Sequence, residues 1–352
     1  MSAAGPFPSV EDNVAALQAW LQARLEGFGG AMQVERLAGG RSNPGWRLRT
    51  AARDCVLRAR PGPRARLLPS AHAIEREFRV QQALAGSGVP VAAMHVLCED
   101  ESLIGAGFYV MDFIDGEIFG DQSLPGLEPP ARGARYDAMN TAIATLHGLD
   151  VDALGLRDYG RSGGYFARQI DRWTRQYAAS RGEAIADMER LIAWLPAHLP
   201  REQDEPVALV HGDFRLDNLV FAQGQPRLLA VLDWELSTLG HPLADFAYHV
   251  MSWHIAPGFL AGLGGLDLDA LGIPDEHAYV RDYERRTGLR VGEHWDFCLA
   301  YNLFRLAAIL QGVGARARAG MATDPEALRF AAQVPALAAL GWRFARRAEA
   351  TA

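Results

Sequence analysis

Two apolar runs near the middle of the chain end in acidic residues, and this pattern constrains the fold more than any other feature. The first run ends at Asp213, with Asn218 five residues later, and the second ends at Asp233. Short apolar runs bounded by polar residues are typical of buried strands. Phosphoryl transfer from a nucleotide needs a carboxylate that orients the attacking hydroxyl, and further carboxylate and amide oxygens that hold magnesium on the phosphates. The pattern predicts this chemistry, with Asp213 as the catalytic base or orienting group.

The two proposed metal ligands are connected by a predicted hairpin. Its turn, residues 224–227, contains glycine and proline, as hairpin turns commonly do. If Gln223 pairs with Leu228, the same register sets Asn218 opposite Asp233. Opposed side chains of an antiparallel pair lie roughly 4.5–5.5 Å apart. We therefore expect Asn218 and Asp233 to bind one Mg²⁺, which takes few protein ligands and keeps several waters.

Composition excludes several functional classes. The 352 residues suggest one very large domain or two ordinary ones, and the net charge of −7 disfavours a nucleic-acid partner. The three cysteines, Cys55, Cys98 and Cys298, have no paired spacing, which predicts a reducing compartment without a disulfide framework or metal cluster. We find no secretory signal and no membrane span, and expect a cytoplasmic protein without a membrane partner.

The order of predicted elements divides the chain in two. Residues 1–114 predict an antiparallel sheet with one helix against it, an α+β lobe. The predicted elements are a leading helix at 11–26, strands at 32–38, 46–50 and 54–60, a helix at 71–86, and strands at 93–98 and 107–114. Residues 115–352 predict a mainly helical lobe that carries the central motif. Its predicted helices are 133–148, 165–179, 184–195, 242–253, 276–286, 293–313 and 325–347.

The motif resembles that of a known family. His211-Gly212-Asp213 with Asn218, followed by Leu232-Asp233-Trp234-Glu235, resembles the aminoglycoside phosphotransferase (choline kinase-like) family, which has the bilobal protein-kinase-like fold. Residues 68–72 and 109–113 resemble the subgroup that is also found fused to acyl-CoA dehydrogenases. The resemblance covers roughly residues 30–345. It implies a nucleotide-binding N-lobe and a helical C-lobe with the catalytic loop and acceptor site.

The resemblance also indicates where the nucleotide would bind. The glycine-rich turn at 39–45 would approach the phosphates, with Ser42 and Asn43 as donors. Residues 111–114 would form the hinge, where backbone groups of Asp112 and Ile114 read the adenine. A hairpin turn and a core strand are the alternatives for these two segments.

Arg58 occupies the strand position where kinases place a phosphate-binding lysine. Its planar guanidinium can still pair with phosphate oxygens and with a carboxylate, and Glu77 on the following helix is the expected partner. The alternative is that Glu77 belongs to an ordinary solvated helix face. Because kinase-like folds that lose the lysine often lose activity, Arg58 leaves a catalytically weak pseudokinase module open as a function.

Residues around the motif leave further alternatives open. We expect His211 to be a buried imidazole that bonds the loop backbone, and Asp217 to be a turn residue. Asp245 either accepts hydrogen bonds from the catalytic loop or is a plain carboxylate at a helix start. Arg305 lies in an apolar helix, where a charge is costly unless paired, so it binds an acidic substrate group or closes a salt bridge. Residues 251–274 are apolar and glycine-rich, as in a mobile lid over a partly apolar substrate or in a disordered surface loop.

These features together predict a small-molecule kinase. Gly212 replaces the arginine of H-R-D and no A-P-E segment follows, which excludes a regulated protein kinase. We expect Mg²⁺ and ATP as cofactors, with GTP left open, and a small-molecule hydroxyl as acceptor. A hydroxy acid or hydroxyacyl thioester is the preferred acceptor, and an aminoglycoside is the alternative. No pattern predicts the oligomeric state.

Overall fold

The structure, a computed structural model, describes residues 9–37, 43–61, 73–180, 182–201, 206–258, 260–320 and 326–351. The chain forms two compact units. The first comprises Met1–Glu117 and Leu229–Leu236, and the second comprises Ile118–Leu228 and Ser237–Ala352. No sequence pattern predicted that residues 229–236 return to the first unit.

The first unit contains an antiparallel sheet of five strands in the order β1-β2-β3-β5-β4. Its elements are α1 (Val14–Gln22), β1 (Gln33–Arg36), β2 (Gly45–Arg49), β3 (Asp54–Ala59), α2 (Ile74–Leu84), β4 (Met94–Cys98) and β5 (Phe108–Asp112). Each predicted strand of the N-lobe is present, shortened by up to three residues. These strands were predicted as short strand-like segments separated by turns rich in glycine, asparagine and aspartate.

The two faces of this sheet pack against different helices. Trp46, Leu57 and Phe108 are buried in one cluster with Leu17 of α1. On the opposite face, Val56, Tyr109 and Met111 pack with Ile74 of α2. The buried positions of α2 are Ile74, Glu77, Val80, Gln81 and Leu84, which have helical spacing. Glu77 therefore lies on the inward face of α2 rather than on the solvated face that was the alternative.

The second unit is mainly helical. Its helices are α3 (Pro129–His147), α4 (Tyr165–Ser180), α5 (Ala186–Ala197), α6 (Pro242–Val250), α7 (Leu268–Leu271), α8 (Glu276–Thr287), α9 (Trp295–Arg318), α10 (Ala327–Ala331) and α11 (Val334–Thr351). The remaining strands are β6 (Ala208–Val210), β7 (Leu219–Phe221), β8 (Leu228–Val231) and β9 (Thr238–Gly240), and the chain passes from the second unit to the first within β8. Helix α9 is the central element and packs against α4, α6 and α11.

By length and composition, α9 is the one helix of the described residues that could cross a membrane. Most of its apolar segment is buried inside the protein, as in the core helix of a globular unit.

Two predictions about the second unit are wrong in detail. The single helix expected at 325–347 is divided into α10 and α11, because Pro335 fits the first turn of a helix but not its interior. The hairpin turn begins one residue earlier than predicted, since the N–H of Ala222 donates to the carbonyl of Arg227 at 2.9 Å. The register that set Asn218 opposite Asp233 is therefore wrong, because the turn occupies residues 223–226.

Candidate active site

A buried carboxylate in the first unit contacts several of the predicted site residues. Glu77 of α2 is 1% exposed, and its Oε2 accepts a hydrogen bond from the Tyr109 hydroxyl at 2.8 Å. The guanidinium of Arg58 on β3 pairs with the same carboxylate, with 3.8 Å between Nε and Oε2. Burial raises the pKa of Glu77, and the charge of Arg58 opposes that rise. The predicted pair of Arg58 and Glu77 forms, and a tyrosine that was not predicted completes it.

The glycine-rich turn is connected to the same carboxylate through Asn43. This side chain is 1% exposed, and its Nδ2 donates to Oε1 of Glu77. Ser42, the other predicted phosphate donor, lies outside the described residues. Because the Asn43 amide nitrogen is engaged with Glu77, the structure favours a positioning role for Asn43 over direct phosphate binding.

Asp233 contacts Arg58 within the first unit. Arg58 Nη2 lies 3.2 Å from Asp233 Oδ1, although the residues are separated by 175 positions in the chain. Asp233 has a φ of +66°, a left-handed backbone conformation that is costly for a residue with a side chain. Such strain is typical of residues whose orientation matters, and here it directs the carboxylate to Arg58. Oδ2 of Asp233 has no hydrogen bond within the described residues, so one oxygen is available for a cation.

The predicted hinge lies at the end of β5. The N–H of Asp112 donates to the carbonyl of Ala93 at 3.0 Å, whereas the N–H of Ile114 bonds to none of the described residues. Asp112 Oδ1 lies 2.6 Å from His95 Nε2, and these side chains and the Cys55 thiol offer atoms within 4.8 Å of one another. Burial raises the pKa of the Cys55 thiol to about 11, which disfavours the thiolate that metals prefer.

In the second unit, Asp245 at the start of α6 fixes the loop that follows β6. Its carboxylate accepts the backbone N–H groups of His211 at 2.7 Å and Gly212 at 2.8 Å. It also lies 3.2 Å from Nε2 of His147, whose Nδ1 contacts the Tyr283 hydroxyl. Burial alone would raise the pKa of Asp245, but the bond to His147 and those from the loop lower it. The predicted contact of Asp245 with the loop is confirmed.

Residues 211–213 adopt a conformation that explains the glycine of the motif. Gly212 has a φ of +83°, which favours glycine because it lacks a Cβ atom. His211 is fully buried, and its Nδ1 accepts the backbone N–H of Asp213 at 3.2 Å. This confirms the predicted structural role of His211. Asp217 pairs with Arg215, as a turn residue would.

The loop brings Asp213 and Asn218 together. Asn218 Nδ2 donates to the backbone carbonyl of Asp213 at 2.9 Å and approaches its Oδ2 at 3.2 Å. The amide nitrogen is thus directed to Asp213, and Oδ1 of Asn218 bonds to none of the described residues. Burial raises the pKa of Asp213, against the opposing charges of Arg215 and Arg305. A half-buried carboxylate beside an available amide oxygen can accept a hydroxyl proton and leave a metal ligand in place.

Arg305 of α9 supports the same loop. Its Nη2 donates to the Gly212 carbonyl at 2.5 Å, and its guanidinium lies over the ring of Tyr248 at 4.7 Å. The Tyr248 hydroxyl interacts with Asp213, and burial together with that negative charge raises the tyrosine pKa. No carboxylate of the described residues lies within 4.0 Å of Arg305, so the salt bridge that was one alternative does not form there.

Much of the apolar segment at 251–274 is folded back on itself. Leu263 N–H donates to Ser252 O and Gly264 N–H to Ile255 O, both at 2.8 Å. The Trp253 indole donates to Pro274 O at 2.9 Å. The described part of this segment is therefore held by its own hydrogen bonds, and it includes the short helix α7.

Sequence reasoning missed Tyr109 and Tyr248. Tyr109 lies opposite Arg58 in the register of β3 and β5, so a correct strand alignment would have indicated it. Tyr248 projects from α6, three residues after Asp245, which is one helical turn. Its aromatic character gave no signal that distinguished it from a core residue.

The folds and geometry of the two units define a protein-kinase-like phosphotransferase. The chain matches the phosphotransferase enzyme family (APH) over residues 33–289. The protein therefore belongs to this family, and the predicted family and fold class are confirmed.

The chain is similar to part of two larger curated proteins. It is 47% identical over 320 residues to acyl-CoA dehydrogenase family member 10 of Mus musculus, covering 90% of this chain and 30% of that protein. It is 40% identical over 352 residues to family member 11 of Rattus norvegicus, covering 98% and 45%. The chain spans less than half the length of these relatives.

Solved structures share the fold. A candidate aminoglycoside phosphotransferase of Ralstonia eutropha jmp134 is 51% identical, with a TM-score of 0.88 over 95% of this chain and 98% of that one. A thermostable mutant of aminoglycoside phosphotransferase APH(4)-Ia, solved in a ternary complex with AMP-PNP and hygromycin B, is 16% identical, with a TM-score of 0.62 over 94% of this chain and 98% of that one. The ethanolamine kinase of Plasmodium vivax is 13% identical, with a TM-score of 0.58 over 89% and 83%.

Proposed function

We propose that the protein transfers the γ-phosphoryl group of magnesium-bound ATP to a hydroxyl group of a small molecule. The observation that carries this proposal is the pairing of Asp213 with Asn218. The amide nitrogen of Asn218 holds the carboxylate, and its oxygen remains available for a metal. Asp213 orients the acceptor hydroxyl and accepts its proton as the new phosphate bond forms.

Each of the two proposed metal ligands has the chemistry that Mg²⁺ prefers. Asn218 in the second unit and Asp233 in the first unit each keep one oxygen without a hydrogen bond to the described residues, and Mg²⁺ prefers oxygen ligands and retains several waters. When bound, the ion would neutralise charge on the phosphates. Arg58 also carries a positive charge, and its Nη2 pairs with Oδ1 of Asp233, which leaves Oδ2 for the cation.

The first unit supplies the proposed nucleotide contacts. Arg58, fixed by Glu77, would pair with phosphate oxygens, because a guanidinium binds such groups in bidentate fashion. The N–H of Ile114 and the carbonyl of Asp112 would read the adenine. Use of ATP is supported by the AMP-PNP that was bound to APH(4)-Ia, and GTP stays the alternative.

The acceptor we favour is a hydroxy acid or a hydroxyacyl thioester. The names of the curated relatives connect domains of this kind with acyl-CoA chemistry. An aminoglycoside acceptor is favoured by the named Ralstonia eutropha neighbour. A polycationic sugar fits poorly beside the buried positive charge of Arg305, since like charges repel in a site of low polarity.

Turnover against a pool of acceptors tests this function. The protein is incubated with magnesium-ATP and a mixture of hydroxy acids, hydroxyacyl thioesters and aminoglycosides, and phosphorylated products are identified by mass spectrometry. The matched variants are Asp213→Asn and Asp217→Asn, since Asp217 lies in the same loop but pairs with Arg215. Products from wild type and Asp217→Asn but not from Asp213→Asn support the proposal. Equal product from all three, or none, rejects it in favour of a nucleotide-binding module.

A further inference from the structure

Arg305 is a buried cation whose hydrogen-bonding capacity is mostly unused. Its side chain comes from the apolar helix α9 and is 5% exposed. Of its five N–H donors, one is engaged, through Nη2, with the Gly212 carbonyl. Its Nε is sealed from solvent without a partner, whereas Nη1 has no bond to a described residue and is not sealed. A buried guanidinium with free donors is costly unless an anion completes its coordination.

The surroundings of Arg305 accommodate its charge without neutralising it. The ring of Tyr248 lies 4.7 Å from the guanidinium carbon and the ring of Trp173 lies 5.7 Å away, so both hold the cation by cation–π contacts. Among the described residues no carboxylate oxygen lies within 4.0 Å. The buried phenols of Tyr165 and Tyr301 also lie nearby and raise the pKa of the guanidinium. The rings and phenols carry no charge, and the negative charge of Asp213 acts on the guanidinium without forming an ion pair with it.

The positive charge of Arg305 lies near the proposed catalytic carboxylate and acts on it electrostatically. The carbonyl that Arg305 contacts belongs to Gly212, the residue before Asp213. Tyr248 interacts with both side chains, Asp213 through its hydroxyl and Arg305 through its ring. A small acceptor whose hydroxyl bonds to Asp213 can therefore place a second group near Arg305. Repulsion by Asp213 would disfavour an anion there unless a cation compensated for it, and Arg305 is that cation.

We propose that Arg305 is the acceptor-recognition residue and that it binds an anionic oxygen group, a carboxylate or a phosphate, of the molecule that is phosphorylated. This inference rests on the proposed function, because it assigns the acceptor class of the same site. The anion would be held by the unused donors of Arg305, while the Gly212 carbonyl retains Nη2. The reacting hydroxyl would lie at Asp213, at the other end of the acceptor.

Matched acceptors test the proposal without any variant. Wild-type protein is supplied with magnesium-ATP and straight-chain hydroxy acids of graded length, each compared with its methyl ester and its coenzyme A thioester. The methyl ester keeps the hydroxyl and the carbon chain but lacks the carboxylate charge. In the thioester, the negative charge is carried by the phosphate groups of coenzyme A instead. We expect kcat/KM to be about ten- to a hundred-fold lower for the ester than for the anionic acceptor, the range of one charge-assisted hydrogen bond. Equal use of ester and anion overturns the proposal.

Variants separate recognition from support of the loop. In Arg305→Met, KM for the anionic acceptor should rise about ten- to a hundred-fold more than KM for the ester, whereas a fall in kcat caused by loss of the Gly212 contact should be the same for both acceptors. Arg305→Lys should recover part of the loss, and Arg316→Met, an exposed arginine on the same helix, should behave as wild type. Equal changes in both kcat and KM for the ester and the anion would show that Arg305 only positions the loop, and would overturn the proposal.

A binding measurement distinguishes failure of this inference from failure of the proposed function. The same hydroxy acids and thioesters are titrated into wild type and Arg305→Met by calorimetry, in the presence of magnesium and AMP-PNP. Binding that depends on Arg305 without turnover supports the inference and rejects the proposed function. If turnover occurs and anion binding is independent of Arg305, the function stands and the inference is overturned. Absence of both anion binding and turnover rejects both.

Discussion

Replacing Tyr109 with phenylalanine tests the hydrogen bond from its hydroxyl to the buried carboxylate of Glu77. The ring is fully buried, and phenylalanine retains its packing against Phe78 at 6.3 Å between ring centroids. The substitution removes only the hydroxyl, which donates to Glu77 at 2.8 Å and also interacts with Gln81. A hydrogen bond to a buried charged group contributes about 1.5–3 kcal/mol. We expect the free energy of unfolding to fall by that amount.

A second tyrosine provides the matched control. Tyr136 is equally buried, but its hydroxyl donates to the neutral backbone carbonyl of Gln122 at 2.6 Å. Tyr136→Phe should lose about 0.5–1.5 kcal/mol, because its acceptor carries no charge. Urea denaturation followed by circular dichroism measures both losses, and calorimetry with magnesium-ATP measures nucleotide affinity. Weaker nucleotide binding in Tyr109→Phe alone is expected, since Glu77 holds Arg58. A Tyr109→Phe loss no larger than the Tyr136→Phe loss would refute the proposed role of Glu77.

Three further predictions concern charge. Asp245→Asn should lower kcat at unchanged KM for ATP and cost about 1–3 kcal/mol of unfolding free energy, because an amide cannot accept from both loop N–H groups; steady-state kinetics and denaturation measure this. Arg58→Met should raise KM for ATP, while Arg49→Met, an exposed arginine of the same sheet, should not; full ATP affinity in Arg58→Met would contradict the phosphate role. Burial lowers the pKa of His241 and His249 from 6.5 to about 4. As the pH falls below 6.5, these histidines become protonated in the unfolded chain but stay neutral in the folded protein, which favours unfolding. Stability should then fall by about 1.4 kcal/mol per pH unit for each histidine between pH 6.5 and 4, a slope that His249→Gln should reduce in denaturation at graded pH.

The elements of the first unit could be predicted because their sequence patterns involve residues that are close together in the chain. The strands are short segments bounded by turn-forming residues, and α2 has buried positions at helical spacing, so neighbouring residues alone indicate both. Strand β9 was missed because it has three residues and pairs with β6, nearly thirty positions earlier. So short a segment has no pattern of its own, and its conformation depends on the distant partner.

The candidate site was predicted less completely, for the same reason. Asp213 and Asn218 lie five residues apart, and their contact follows from one loop. The contact of Arg58 with Asp233 spans 175 positions, and that of Arg305 with Gly212 spans 93. Neither leaves a periodic signal in the sequence. The register error at the hairpin arose because several turns of similar length fit the same residues, and only the hydrogen bond from Ala222 to Arg227 distinguishes them.

Transfer of a labelled phosphoryl group tests the central claim most directly. The protein is incubated with ATP labelled at the γ-phosphate and with a hydroxylated acceptor that the pool identifies, with magnesium or with a chelator. We predict that the label moves to the acceptor hydroxyl only with magnesium, and that Asp213→Asn lowers the rate at least about a hundred-fold, as expected for loss of a general base. Label that appears only in inorganic phosphate, or transfer that is unaffected by Asp213→Asn, would contradict the account.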